Sequence, residues 1–479
     1  MQLIFEKSVP GRQSRIFEPG SLACPPLPEV LSRQEPPALP EVSELDAVRH
    51  FTGLSRRNFG VDSHFYPLGS CTMKYNPRLN EAAASLSGFA GLHPHYAFIP
   101  AARELCQGAL AVIWELETFL AEIGGMCAGC LQPMAGAHGE LTGVLMIAAY
   151  HRDRGHRDKT VMLVPDSAHG TNPASAAMAG FSVRTVRSGP DGEVDFDTFT
   201  AALDDSVAGI MLTCPNTHGL FERRIRDIAN LAHQRDALLY YDGANLNAIL
   251  GKVRPGDLGF DVMHFNLHKT FSTPHGMGGP GAGAVAVGER LLPFLPGSRV
   301  VRDEQGHYTL TSPEKSIGAI APFFGSFLVA LRAWTYLRAH GTQGLPRVAE
   351  AAVLNANYVL ARLKAYYHAP FGDRCMHECV LDASRQMAAG GVKALDIAKA
   401  LLDRGFHAPT IYFPLTVPEC LMIEPTETES RETLDAFCDA MIEIARQAET
   451  DPDALKQAPR TLPVGRLDEV KAARELNCS

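Results

Sequence analysis

The chain has 479 residues, 46% of them hydrophobic and 20% charged, with a formal net charge of -9. Its length suggests two or three domains with a sizeable core. The interspersed acids and bases exclude a fold-wide attraction to nucleic acid or to an anionic membrane. The opening apolar run is broken by Glu6 and Lys7, too early for a secretory leader. No stretch approaches the ~20 apolar residues of a membrane span, so a cytoplasmic protein is expected. The 11 cysteines are odd in number and scattered, which fits reduced thiols. Cys127 and Cys130 make half of a zinc or redox pattern without a second pair at the usual spacing. Cys375, His377 and Cys379 alternate as if on one strand face. Both groups read as structural, and no metal site is expected.

Residues 1–48 carry eight prolines, densest at 24–28 and 36–40, and read as an extended arm. Its apolar Leu3, Ile4, Phe5, Ile16 and Phe17 favour docking on a partner subunit. From 49 to 338 short apolar runs at 161–164, 210–213, 238–241 and 284–287 alternate with amphipathic stretches. One such stretch covers 222–235, with Ile225, Ile228, Ala229 and Ala232 on a single stripe. Strands alternating with helices predict an α/β domain built on a mostly parallel sheet covered on both faces. From 339 to 479 a smaller α+β domain is expected, with helices over 350–366, 395–404 and 430–447 and strands at 379–381, 411–413 and 421–423. No internal repeat is present.

The chemistry concentrates at strand ends. Lys269 follows the apolar start of 264–267 and is flanked by His268 and Thr270, where it would meet a ligand. A surface lysine snorkelling from a strand end is the plainer reading of that residue alone. Twenty-seven positions earlier Asp242 ends the apolar run 238–241 and precedes Gly243 and Ala244, poised for a cleft at the carboxyl edge of the sheet. A helix N-cap is the alternative use of such an aspartate. Together they suit pyridoxal chemistry, in which a lysine amine forms a Schiff base and a carboxylate keeps the ring nitrogen protonated. A phosphate site then belongs at a helix start. Ala135, Gly136 and Ala137 precede an apolar stripe through Leu141, Val144, Leu145 and Ala148, so backbone N–H groups and the helix dipole would face an anion there. His169, in the loop 166–173, can stack on a ring or move a proton, and a satisfied loop histidine reads equally well. The glycine run 276–283 precedes a strand and lacks the lysine of a P-loop, so it is neither a dinucleotide fingerprint nor a P-loop. It lets the chain pass close to a cofactor.

These residues resemble the P-protein of the glycine cleavage system, glycine dehydrogenase (decarboxylating), in the second subunit of its split bacterial form. The matching stretches are 66–74 (YPLGSCTMK), 168–175 (AHGTNPAS), 241–245 (YDGAN), 266–271 (NLHKTF) and 424–429 (EPTETE). The resemblance implies a fold-type-I pyridoxal-phosphate enzyme, with a seven-stranded-type sheet in the large domain. Lys269 would be the Schiff-base lysine, Asp242 the pyridine partner and His169 the ring-stacking histidine. Ala135, Gly136 and Ala137 would cradle the phosphate, with Thr213, Ala244 and His268 as further contacts and the Ser70-Cys71-Thr72 stretch as an active-site segment. Met134, Met277 and Ser326 depart from the family pattern. The implied reaction takes CO₂ from glycine and passes the aminomethyl group to the lipoyl arm of the H-protein. The implied assembly contains two copies each of this chain and a related subunit 1. Another type-I decarboxylase, lyase or desulfurase is the nearest rival, and a non-catalytic partner subunit the next.

Overall fold

The computed structural model describes residues 2–13, 28–35, 37–275 and 281–475. Ile16, Phe17, the prolines at 19, 25, 26 and 36, and positions 276–280 with Met277 lie outside them. Two units are distinguished: 61–458, and 1–60 with 459–479. In the second, the described stretches 2–13 and 37–48 of the proline-rich arm meet. Val9 N–H donates to Glu41 O at 2.9 Å and Gly11 N–H to the Glu41 carboxylate. Helix Glu44–Ser55 begins at Ser43, whose side chain accepts from Asp46 N, so residue 48 falls within a helix. Leu3 and Phe5 are exposed.

Unit 61–458 is organised by a seven-stranded sheet. Its strands are β1 (Ala128–Cys130), β2 (Val161–Pro165), β3 (Ser182–Val186), β4 (Val207–Thr213), β5 (Leu238–Asp242), β6 (Val262–Asn266) and β7 (Gly283–Val287). They lie in the order β1-β7-β6-β5-β4-β2-β3. From β3 through β6 every neighbouring pair is parallel, while β7 runs antiparallel to both β6 and β1. Apart from edge strand β3, these strands are almost wholly buried. That burial explains why they read as continuous apolar runs rather than alternations. Helix Ile225–Gln234 buries the predicted stripe of Ile225, Ile228, Ala229 and Ala232. A hairpin of β8 (Arg299–Arg302) and β9 (Tyr308–Thr311) stands apart from the main sheet.

A second sheet is antiparallel, in the order β10-β12-β11, from β10 (Cys379–Asp382), β11 (Thr410–Ile411) and β12 (Cys420–Ile423). Helices Ala394–Asp403 and Arg431–Thr450 pack on it around Ile397, Leu401, Phe437 and Met441. Two expectations are corrected here. The helix expected over 350–366 is the last part of Phe327–Leu363, which is interrupted at Gly341 (φ 59, ψ -177). The stretch through Cys375 and His377 is not a strand; pairing begins only at Cys379.

Candidate active site at the carboxyl ends of the central strands

Three central strands deliver the polar residues. β4 ends in Thr213, which pairs in register with Asp242 at the end of β5. β6 ends in Asn266, and the helical turn Leu267–Thr270 carries Lys269 directly beyond it. This is the edge at which parallel α/β sheets bind ligands. The Lys269 amine donates to the Ser70 carbonyl at 2.6 Å. Ser70 and Thr72 are both left-handed (φ 63 and 39), a conformation costing roughly 1–3 kcal/mol per non-glycine residue. Carboxylates from beside the small sheet hold them. Glu378 accepts from Ser70 N–H at 2.8 Å, and Glu424 from Thr72 N–H at 3.0 Å and Thr72 Oγ1 at 2.5 Å. His377 Nε2 stands 3.9 Å from each carboxylate. Burial pushes Glu424 up to about 7 and His377 down to about 3.

Helix Gly136–Asp153 lies on the sheet because its facing positions lack side chains. A Cβ on Gly136 would sit 1.9 Å from Asn266 Oδ1, on Gly139 2.9 Å from His264 Cβ, and on Gly143 2.4 Å from the Tyr240 ring. The first turn therefore approaches the ends of β5 and β6. Its N-cap, Ala135, is extended and offers no side-chain cap, which leaves first-turn N–H groups open to an anion. The resulting cavity of about 170 Å³ is lined by Gly136, Ala137, His169, Thr213, Asp242, Ala244, His268, Lys269 and Ser70, among others. Of the predicted cofactor residues only Ala135 does not line it; Ala135 starts the helix instead. Thr213 Oγ1 is buried without a partner, a polar atom left for a ligand to satisfy.

Two buried carboxyls stand side by side here, and their donors set them apart. Asp242 accepts from Ala244 N–H at 2.9 Å, capping the turn Gly243–Ala248, and from Asn172 Nδ2 at 2.9 Å. Burial opposes its charge, but His264, these donors and Lys269 outweigh it and hold the carboxyl below its ordinary value. The strand-end and N-cap readings of Asp242 are thus both realised. Among the described residues Glu140 accepts from Thr171 Oγ1 (2.8 Å) and Asn172 Nδ2 (3.3 Å) alone, and burial beside Asp242 raises it to about 8. His169 faces the cavity, its ring edge-on to Phe413 at 5.8 Å. Burial and Lys269 keep it neutral against the pull of Asp242. His268 is pushed down to about 4 by burial and by Lys269, and its Nδ1 lies 3.0 Å from Ala282 O. Met134 and Ser326, two departures from the expected pattern, touch one another at 3.8 Å beside this helix start. Sequence reasoning gave no role to Glu140, Asn172, His264, Glu378 or Glu424, although Asn172 and Glu424 lie within the stretches that carry the resemblance. The signal for Glu140 is an acid inside the Gly136, Gly139, Gly143 face, where only a group turned toward the sheet can sit.

An amine, a carboxylate held ionised, an open helix terminus and an orphaned hydroxyl on one cavity match the four needs of pyridoxal phosphate: attachment, ring nitrogen, phosphate and a hydrogen bond. Residues 141–387, more than half of the chain, match the aminotransferase class-V family, so the protein is a pyridoxal-phosphate enzyme of that fold. A crystal structure of an inhibitor-bound glycine decarboxylase (P-protein) of the glycine cleavage system superposes with a TM-score of 0.69. It is 23% identical and covers 89% of this chain and 93% of its own. A cysteine desulfurase from Thermococcus onnurineus shares the fold at a TM-score of 0.60 and 14% identity, over 80% of this chain and 95% of its own. Residues 348–460 match the C-terminal domain of glycine dehydrogenase. A probable glycine dehydrogenase (decarboxylating) subunit 2 from Nitrosococcus oceani is 56% identical over 99% of this chain and 98% of its own length. Its counterpart in Thermotoga maritima is 52% identical over 98% of each. The chain belongs to the family of glycine dehydrogenase (decarboxylating) subunit 2.

Proposed function

We propose that this chain is the catalytic half of a glycine-cleaving enzyme. It removes CO₂ from glycine, passes the aminomethyl group to the lipoyl arm of a carrier H-protein, and works with a subunit 1 in an assembly of two copies of each. The relatives' designation as subunit 2 supports the pairing. We also propose a division into an N-terminal arm over 1–48, a large cofactor domain over 49–338 and a small domain over 339–479. The separate cores of the large and small sheets and the interruption at Gly341 support the second boundary.

One observation carries the catalytic reading: Lys269, Asp242 and an uncapped helix terminus face a single cavity. A merely structural subunit has no use for that set. Bound pyridoxal phosphate supplies an electron sink for the pair left when the bond between glycine Cα and its carboxylate breaks. Lys269 is the amine that would hold the cofactor and yield it to glycine; the Ser70 carbonyl keeps its Nζ in place meanwhile. Asp242, ionised and fixed by Asn172 and Ala244, would hold a proton on the ring nitrogen. First-turn N–H groups of helix Gly136–Asp153 and the Thr213 hydroxyl would bind phosphate oxygens. His169 would pack on the ring as a neutral imidazole. The test combines the chain with subunit 1, lipoylated carrier protein and carboxyl-labelled glycine. Exchange of label with CO₂ for glycine alone is expected. Release from bulkier amino acids, or a protein that binds no cofactor with its partner present, overturns the reading.

A further inference from the structure

Glu140 lies one turn into the helix that opens on the cavity, and among the described residues no cation forms an ion pair with it. Around it stand Asp242 and Tyr240 from β5, Lys269 from the turn after β6, and Thr171 and Asn172 from the helix packed beside it, with His264 next to Asp242 and His169 next to Thr171. Asn172 Nδ2 bridges the two carboxyls, at 2.9 Å from Asp242 and 3.3 Å from Glu140. Two like charges sharing one amide in a buried site do not both ionise. Besides the shared amide, Asp242 has a backbone N–H that can only donate and His264 nearby, whereas Glu140 has a hydroxyl that can equally accept, so the proton belongs on Glu140.

That proton has a path outward. Thr171 Oγ1 is 2.8 Å from Glu140 Oε1 and 2.8 Å from His169 Nδ1, and a hydroxyl has a single proton to donate. When Glu140 is protonated it donates to Thr171, Thr171 donates to His169 Nδ1, and the imidazole proton must sit on Nε2. The Thr171 backbone N–H, 3.3 Å from Nδ1, favours the same tautomer. When Glu140 ionises, Thr171 turns its proton to the carboxylate, and Nδ1 must carry a proton to donate back to Thr171. We infer that Glu140 is a positioning residue: through the Thr171 hydroxyl it decides which ring nitrogen of His169 bears the proton in the active-site cavity.

The inference rests on the reading of this cavity as the site of glycine decarboxylation, but its first test does not. Heteronuclear NMR of cofactor-free protein labelled at the histidine ring nitrogens, with His169 assigned by substitution, reads the tautomer directly. On the acid side of the Glu140 transition, which burial beside Asp242 places near pH 8, the Nε2–H form is expected, with a switch to Nδ1–H above it. Glu140→Gln donates to Thr171 and accepts from Asn172 as the neutral acid does, so its His169 signals stay in the Nε2–H pattern on both sides. Thr171→Val breaks the chain and loses the switch, while Thr171→Ser keeps it, so the test survives if a Glu140 variant fails to fold. In the loaded enzyme Glu140→Ala loses on the order of tenfold in kcat with little change in KM, and Glu140→Gln recovers most of it without the wild-type inflection. A switch that persists in Glu140→Gln or Thr171→Val, or wild-type signals that do not change across the transition, overturns the inference. Failure of glycine exchange with the tautomer switch intact removes the substrate reading alone.

Discussion

Asp242 and Glu140 are the same functional group a few ångströms apart, and what separates them is the kind of donor each receives: a backbone N–H with His264 nearby for Asp242, a hydroxyl that can also accept for Glu140. Such differences do not show in a sequence. Lys269, Asp242 and His169 were legible because each follows an apolar strand and breaks it with a polar residue beside glycine or other small side chains. Glu140, Asn172 and His264 were not, since they sit inside elements and matter only through what the fold places opposite them. Two substitutions separate the roles proposed for the legible pair. In Lys269→Ala the cofactor is no longer fixed to protein by borohydride and the visible absorbance band is lost. Asp242→Asn keeps the lysine, so cofactor is still fixed, but turnover falls by roughly 10²–10³ because a preorganised charge beside the reacting system is gone. Equal loss of fixation in both variants would deny that division of labour.

Among elements, most buried strands were read to within a few residues, though the short β1 (Ala128–Cys130) was missed, and the misreadings have physical causes. Helix Phe327–Leu363 was seen only in part because Gly341, Gly344 and Pro346 break its pattern; the interruption at Gly341 needs a backbone that only glycine adopts easily. The alternation of Cys375, His377 and Cys379 mimicked a strand, yet the chain there turns His377 inward between two acids instead of pairing. Helix Gln107–Gly124 hides another acid. Glu117 is 7% exposed and, among the described residues, accepts from Leu131 N–H alone, at 3.3 Å. Burial raises it to about 8, against the pull of Arg299. A carboxyl that keeps its proton to higher pH when folded binds more protons in the native state than in the unfolded one, so stability falls as pH rises from about 4.5 to about 8. Glu117→Gln removes that slope. The variant is expected to melt above wild type at pH beyond 8, with the gap closing toward pH 4.5, in thermal unfolding followed by circular dichroism. A constant gap at all pH would show that Glu117 is not the group responsible.

At the scale of the molecule, two sheets with separate cores were expected and found, whereas the way they share the active site was not. Ser70 contacts Glu378 across 308 positions and Thr72 contacts Glu424 across 352, distances over which local pattern carries no information. Through those contacts, acids beside the small sheet shape the segment whose carbonyl receives the Lys269 amine.

That arrangement makes the cofactor a thermodynamic partner of residues it never meets. If the native 70–72 backbone needs Glu378 and Glu424, unfolding the small core releases the segment and lowers the affinity of the cavity, and by reciprocity cofactor binding opposes that unfolding. Free cofactor at a hundredfold excess over its Kd is then worth about 2.7 kcal/mol to the β10–β12 core as well as to its own cavity. In urea, cofactor release and loss of hydrogen-exchange protection in helix Arg431–Thr450 should shift together as cofactor is added. If protection in that helix ignores the cofactor, the two cores melt as strangers.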